Sequence, residues 1–453
     1  MERQQRSAGF ILGVLFAINL MNFFDRQLIG VVAEPIRKQW ALTDSQIGWL
    51  GTAFTLLYAI VGVPLGRLSD RSKRSKLLGL GVGLWSLLTA ASGFAWNFAS
   101  LFLARLGVGV GEASCAPAAN SLIGDLYPPA RRAFVISVFM AGLPVGVFFG
   151  NYIGGALAAA YGWRSAFFVA CIPGLLLAPV AFLMPETKRG AAETSPGAAR
   201  VHLGSPYRRV LKIPTMFWII VSGALFNFNS YAINLFMPSF LIRYHGLNLK
   251  DANLIAGLTL GAVGVPGLLA GGWMVDHFRK VRWDGRLLTP AIALLISAPC
   301  IFFALNLRPG KLGIFVALAS VGSMLGYVYY SGVYAAVQDV VEPSLRGTAM
   351  ALYFFAMYLL GGSFGPVLTG KLSDYFARRA MMAAGASVLT EPFRAVGLHS
   401  AMYVIPLCSM VLAAVLLAAS FTVEADMRAL ERWMNEPAAE LSLPPAPLEP
   451  TGD

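Results

Sequence analysis

Charge is scarce in this chain. Only 13% of its 453 residues are Asp, Glu, Lys or Arg, against 57% hydrophobic. A soluble protein of this length needs far more charge to cover its surface. A water-soluble globular fold is therefore excluded, and the solvent to reason with is a bilayer. Histidine and cysteine are scarcer still, with four of each. His202, His245, His277 and His399 are scattered through loops and helix ends. They form no nucleophile–base constellation, which argues against a membrane-embedded enzyme such as an acyltransferase. Cys115, Cys171, Cys300 and Cys408 each fall inside an apolar run, where a lone cysteine reads as a small buried residue, not a disulfide or metal ligand. Neither a metal nor an organic cofactor is expected.

What the chain has in abundance is apolar helix. A spanning helix takes roughly 20 apolar residues, and twelve such runs lie at approximately 8–34, 45–68, 77–98, 99–124, 133–161, 164–185, 214–242, 251–275, 287–306, 311–338, 347–376 and 398–422. The 47 glycines suit close helix contacts in lipid. The first run is long, carries charge and lacks a small-residue cleavage site, which predicts a retained helix and not a cleaved leader.

The net charge of +12 follows topology. Of 35 Lys and Arg, 22 fall in the segments on the N-terminal side of the membrane, 11 on the other side, and Arg26 and Arg105 lie within helices. That bias predicts a multi-pass protein of the cell (inner) membrane with both termini cytoplasmic. It predicts the lipid bilayer as partner and no nucleic acid. The basic stretch from Glu186 to Pro214 divides the series. The expected organisation is a six-helix half at 1–185, a cytoplasmic linker at 186–213, a second half at 214–422 and a tail at 423–453, disordered at its Pro- and Glu-rich end.

The halves repeat each other. Gly66 and Asp70 after helix 2 recur as Gly272 and Asp276 after helix 8, and Asp125, Pro129 and Arg132 recur as Asp339, Pro343 and Arg346. Two pseudo-symmetric six-helix halves resemble the architecture of major facilitator transporters. The expected fold class is thus an all-α membrane protein with twelve transmembrane helices in that arrangement, functional as a monomer.

Four features carry chemistry. The first is the loop Gly66-x-Leu68-x-Asp70-Arg71-x-x-Arg74. Orientation requires only positive charge, whereas a carboxylate can cap the N-terminus of a facing helix and a glycine permits close approach. This loop resembles the major facilitator signature, which implies a cytoplasmic gate between halves. The second is the intramembrane set Asp25, Arg26, Arg105 and Glu112. Such groups are costly in lipid and default to functional hypotheses. One reading is a structural ion-pair set with Arg26 snorkelling; the other has Asp25 and Glu112 exchanging a proton while Arg105 changes partner, near a ligand held by Asn22, Arg26, Arg105 and Glu112. The third is neutral: Asn227, Tyr231 and Asn234 on helix 7, and Tyr327, Tyr330, Tyr334 and Gln338 on helix 10, each set on one helical face. That face is either packing or a ligand wall. Fourth, Gly142, Gly146, Gly150 and Gly154 on helix 5, with Gly361 and Gly365 on helix 11, read as packing and hinge surfaces.

Several of these residues together resemble one family. Asn22-Phe-Phe-Asp25-Arg26, Leu42-Thr-Asp44-Ser45-Gln46-Ile-Gly48, Trp85-Ser86, Gly109-Val-Gly111-Glu112-Ala113-Ser114 and Pro144-x-Gly146 are similar to the Spinster family; Cys115 departs from the aromatic often found there. The resemblance implies a secondary transporter of an amphiphilic anion of the lysophospholipid or sphingolipid kind. It also implies alternating access coupled to protons through Asp25, Arg105 and Glu112. A symporter of small organic or sugar acids is the alternative.

Overall fold

The computed structural model describes residues 2–187, 206–342 and 345–435, and helix is the only regular structure among them. Twelve helices are long and apolar enough to cross a membrane. We label them α1 (Ala8–Trp40), α2 (Asp44–Arg71), α3 (Arg74–Gly93), α4 (Phe98–Leu126), α5 (Phe134–Tyr161), α6 (Trp163–Leu183), α7 (Pro214–His245), α8 (Leu249–Val281), α9 (Gly285–Leu305), α10 (Leu312–Val340), α11 (Arg346–Ala383) and α12 (Glu391–Met434). Local chemistry sets their ends. Thr43 opens α2 with a capping box, its hydroxyl accepting from the Gln46 amide while Gln46 accepts from the Thr43 amide. Gly246, at φ 72°, ends α7 in the left-handed conformation that glycine adopts freely. Past the helix 12 run expected at 398–422, the helix continues to Asn435, so the first part of the expected tail is ordered helix. In the linker, Pro206–Leu211 forms a short helix; 188–205 and 436–453 lie outside the described residues.

Each half uses the same packing. The expected glycine column of α5 lies on α1: a side chain on Gly146 would meet Phe23 Cβ at 2.9 Å and the Phe24 amide at 3.0 Å, and one on Gly150 would meet Gln27 Cβ at 3.0 Å. In the second half Gly361 and Gly365 of α11 press on Asn227 and Phe228 of α7 in the corresponding way. Removing the Cβ lets two backbones meet, and dispersion contacts replace the hydrophobic drive that lipid does not supply.

The apolar core forks. At the end opposite the termini, one buried cluster joins both halves, with Leu28, Val32 and Ile36 of α1 against Leu235, Phe236 and Phe240 of α7. Toward the terminus-bearing end it divides into a first-half cluster around Leu15, Leu78 and Leu122 and a second-half cluster around Ile219, Leu294 and Leu416. A cavity of about 1880 Å³ fills the fork, lined near its mouth by Gly66, Arg132, Asp276, Gln338 and Arg346.

Polar groups reinforce the closed end. Arg243 of α7 grips both Asp44 oxygens at 2.7 Å and reaches Glu34 through Nε at 2.6 Å. Arg37 bridges Glu34 to Glu391 on α12, and Ser373 of α11 donates to Asp44 at 2.6 Å. Arg243 lies one residue past the apolar run expected at 214–242, and its side chain is 3% exposed because α7 continues to His245. Losing one partner of a buried pair strands the other charge, at about 3–5 kcal/mol.

Two outcomes follow for thermal unfolding in detergent. Gly146→Val should lower the midpoint sharply, by about 1–3 kcal/mol of overpacking, whereas Gly13→Val, whose Cβ meets nothing within 4 Å, should not. Arg243→Gln should destabilise strongly, and adding Asp44→Asn should recover part of the loss; no recovery would mean that Asp44 is not stranded by losing its arginine.

Candidate functional site

The cavity floor is built around one guanidinium. Four arginines line the cavity, but Arg132, Arg286 and Arg346 stand at helix ends near the mouth, and Arg26 alone stands mid-helix, in α1. Its Nε donates to Glu112 Oε2 at 2.9 Å, and its Nη1 donates to the hydroxyls of Tyr231 and Tyr358 at 3.2 Å each. Aromatic faces surround it: Phe23 at 4.7 Å, Tyr58 at 5.0 Å, Phe54 at 5.1 Å and Tyr358 at 5.6 Å to the ring centroids. Such rings stabilise a desolvated cation through their quadrupoles. Because Arg26 belongs to the first half and Tyr231 and Tyr358 to the second, this cluster also ties the halves together.

Asp25, next in sequence, points elsewhere, as a rotation of about 100° per residue requires. It accepts from Thr89 at 2.8 Å and from Arg105 Nη1 at 3.3 Å, while Arg105 Nη2 bonds the Asp25 carbonyl at 3.2 Å. The four intramembrane charges thus form two separate pairs. Arg105 is 1% exposed and lies off the cavity wall, so its expected ligand contact is not found. Glu112 is fully buried and reaches the cavity only through Arg26. Among the unsatisfied buried atoms are Glu112 Oε1 and Asp25 Oδ1.

Asn22, Asn227, Tyr231, Asn234, Tyr327, Tyr330 and Tyr334 all line the cavity. Asn22 Nδ2 and Asn227 Nδ2 are buried donors without a partner there. Tyr327 is committed elsewhere: its hydroxyl donates to the Leu260 carbonyl at 2.8 Å, inside a π-helical turn of α8 at Gly257–Ala262. A second π-helical turn, Met357–Gly362 in α11, carries Tyr358. Tyr358 and the α2 residues Phe54 and Tyr58 were not expected at the site. Tyr358 has only Phe354, Phe355, Gly361 and Gly362 at three- and four-residue spacing, so no polar stripe marks its face in the sequence.

Of the expected gate residues, the structure describes the surroundings of Gly66 and Arg74. Gly66 lines the open mouth, with nothing within 4 Å of where its Cβ would lie. The side chains of Asp70 and Arg71 lie outside the described set. Among the described residues Arg74 binds only the first half and the start of the linker: Asp125, Ser121 at 2.8 Å, Glu186 at 2.7 Å and the Thr187 carbonyl at 2.7 Å. Burial would push the Glu186 carboxyl up, but hydrogen bonds from Arg74 and Ser75 outweigh that and hold it below the usual carboxylate range. The repeat noted in the sequence has a structural counterpart, since Arg132 donates to the Gly124 carbonyl and Arg346 to the Gln338 carbonyl.

Comparison with known proteins agrees with this geometry. Residues 15–366 match the family model described as Major Facilitator Superfamily. An MFS-type efflux pump of Mycolicibacterium smegmatis is 30% identical over 82% of this chain and 85% of its own length. Protein spinster homolog 1 of Xenopus laevis is 31% identical over 80% of this chain and 72% of its own. A hexuronate transporter of Bacillus subtilis is 28% identical over 83% and 91%. Among solved structures, a bacterial homolog of the human lysosomal transporter Spinster, in an inward-facing and unoccupied conformation, superposes with a TM-score of 0.82 at 28% identity, covering 93% of this chain and 98% of that one. The chain belongs to the Major Facilitator Superfamily, and within it is a multi-pass, non-enzymatic transporter resembling the Spinster proteins.

Proposed function

We propose that this protein carries an amphiphilic anion by alternating access, coupled to protons. The observation that carries the reading is Arg26, a positive charge at the floor of a large cavity, whose carboxylate contact among the described residues is Glu112. A proton on Glu112 removes the charge that Arg26 Nε is bound to and leaves the guanidinium available to an anionic headgroup. An anion arriving without that proton must compete with Glu112. Proton and anion therefore favour each other's binding, as linked ligands must. Tyr231 and Tyr358 accept from Arg26 and each keeps a proton to donate to the same headgroup. The rear pair, Asp25 and Arg105, is the second place where a proton could be held, out of reach of the ligand.

The lipid-like cargo is supported by the resemblance to Spinster proteins and by a largely apolar wall that includes Leu268, Leu269, Leu352 and Phe355. Small sugar acids form the second reading, favoured by the Asn22, Asn227 and Asn234 amides at the floor and by the hexuronate relative. The excess of Lys and Arg on the terminus-bearing side supports a cytoplasmic assignment for that face. On that assignment the cavity opens inward.

Proteoliposomes holding the purified protein, tested with lysolipids and with sugar acids, with and without a pH gradient, separate these readings. Wild-type flux should follow the gradient, and Glu112→Gln should keep anion binding while losing the pH dependence. Arg26→Ala should weaken anion binding by about 10- to 100-fold, because a charge-assisted contact is removed. Wild-type transport indifferent to the gradient would sink the coupling, and flux of hexuronate without lysolipid flux would sink the lipid cargo.

A further inference from the structure

The gate sequence occurs in a second, unexpected place. Gly66-Arg-Leu-Ser-Asp70 ends α2, and Gly370-Lys-Leu-Ser-Asp374 lies in the last third of α11, identical at four of five positions. The two copies sit at opposite ends of the bundle, since α2 runs toward the terminus-bearing end and α11 runs away from it. They are also in opposite conditions. Gly66 faces open space. Gly370 is pressed on the chain at the start of α2: a Cβ there would fall 2.7 Å from the Asp44 carbonyl carbon and 3.0 Å from Ser45 Cα.

The second copy is engaged across the halves. Asp374 accepts from the Asp44 amide at 3.0 Å and from the Ser45 amide at 2.9 Å, and Ser45 also donates its hydroxyl to it. These are among the first amides of α2, which have no partner within their own helix. A carboxylate there answers both the orphan donors and the positive end of the helix dipole. Ser373, the residue before it, holds the Asp44 side chain at 2.6 Å. Further along the same contact, Gly48 of α2 lies under the α11 backbone at Pro366, with a Cβ there 2.9 Å from Val367 Cα.

We propose that Gly370–Asp374 is a second latch, which holds the end opposite the termini shut by capping the N-terminus of α2. It would release when the Gly66–Asp70 end closes. One copy lies on α2 and the other on α11, at opposite ends of the bundle, and the difference in strength between the two ends sets the resting equilibrium. The proposal rests on alternating access and not on the identity of the cargo.

Spin-label distances test it without any transport measurement. With Cys115, Cys171, Cys300 and Cys408 replaced by alanine, one label pair at Lys38→Cys and Arg378→Cys reads the closed end, and another at Arg131→Cys and Lys280→Cys reads the open mouth. Asp374→Asn should raise the population separated at the first pair about tenfold or more, as loss of a charge-assisted hydrogen bond implies, and should shorten the second pair. Gly370→Ala, which keeps the carboxylate and holds the backbones apart, should shift both pairs the same way. Asp70→Asn should shift them in the opposite direction, and the Asp70→Asn, Asp374→Asn double variant should return toward wild type. Wild-type distributions in both Asp374→Asn and Gly370→Ala would overturn the proposal, as would a double variant indistinguishable from Asp70→Asn alone.

Discussion

A charge inside a bilayer must be answered by a partner, and much of this structure is the working out of that requirement along α1. Three acidic and basic sites on that one helix face three different problems. Asp25 turns to α4 and is held by Arg105 and Thr89. Arg26 turns to the cavity and is held by Glu112, two tyrosines and four aromatic faces. Near its far end, Glu34 and Arg37 join Arg243 and Glu391 in closing the halves together. Isolated, any of these would be prohibitively costly. Paired, each lends specificity to a contact that apolar side chains alone would leave indifferent to register.

The scaffold around those pairs is built twice. A glycine face on α5 receives α1, and a glycine face on α11 receives α7. Close backbone contact makes each half stiff, because helices packed without intervening side chains have little freedom to slide. The same close contact recurs between the halves at the closed end, where Gly30 meets Leu235 and Gly48 meets Val367, and the apolar core is single at that end and forked at the other. The two π-helical turns in α8 and α11 are exceptions to this stiffness. Each leaves a carbonyl without its normal helical donor, and side chains take it up: Tyr327 for Leu260 and Ser363 for Tyr358.

The sequence made the spans legible because twenty-residue apolar runs have few other meanings, and the repeat was legible because loop residues recur at fixed offsets. At the site, Asn227, Tyr231 and Asn234 are legible from helical spacing along α7, whereas Arg26 is legible as a charge inside an apolar run and Asn22 from the motif it shares with Asp25. Tyr358 is not legible in this way, because Phe354, Phe355, Gly361 and Gly362 at helical spacing around it form no polar stripe. Arg105 was placed on the wrong wall for a different reason. Depth along a helix is readable from residue number, but which neighbour a face meets is not. The closed-end network escaped notice because Arg243, Arg37 and Asp44 look like ordinary charges flanking apolar runs. Only the packing of α7 against α1 and α2 reveals that their side chains are buried.

The pairing of Arg26 with Glu112 has an electrical consequence. Moving one elementary charge through a membrane potential costs about 2.3 kcal/mol per 100 mV. A monovalent anion bound at Arg26 together with a proton on Glu112 adds no net charge to the protein, and Asp25 and Arg105 stay mutually compensated. Voltage would then do no work on the loaded carrier, and a cell's electrical gradient would neither drive nor hinder the journey. The concentration gradients of cargo and protons alone would set its direction.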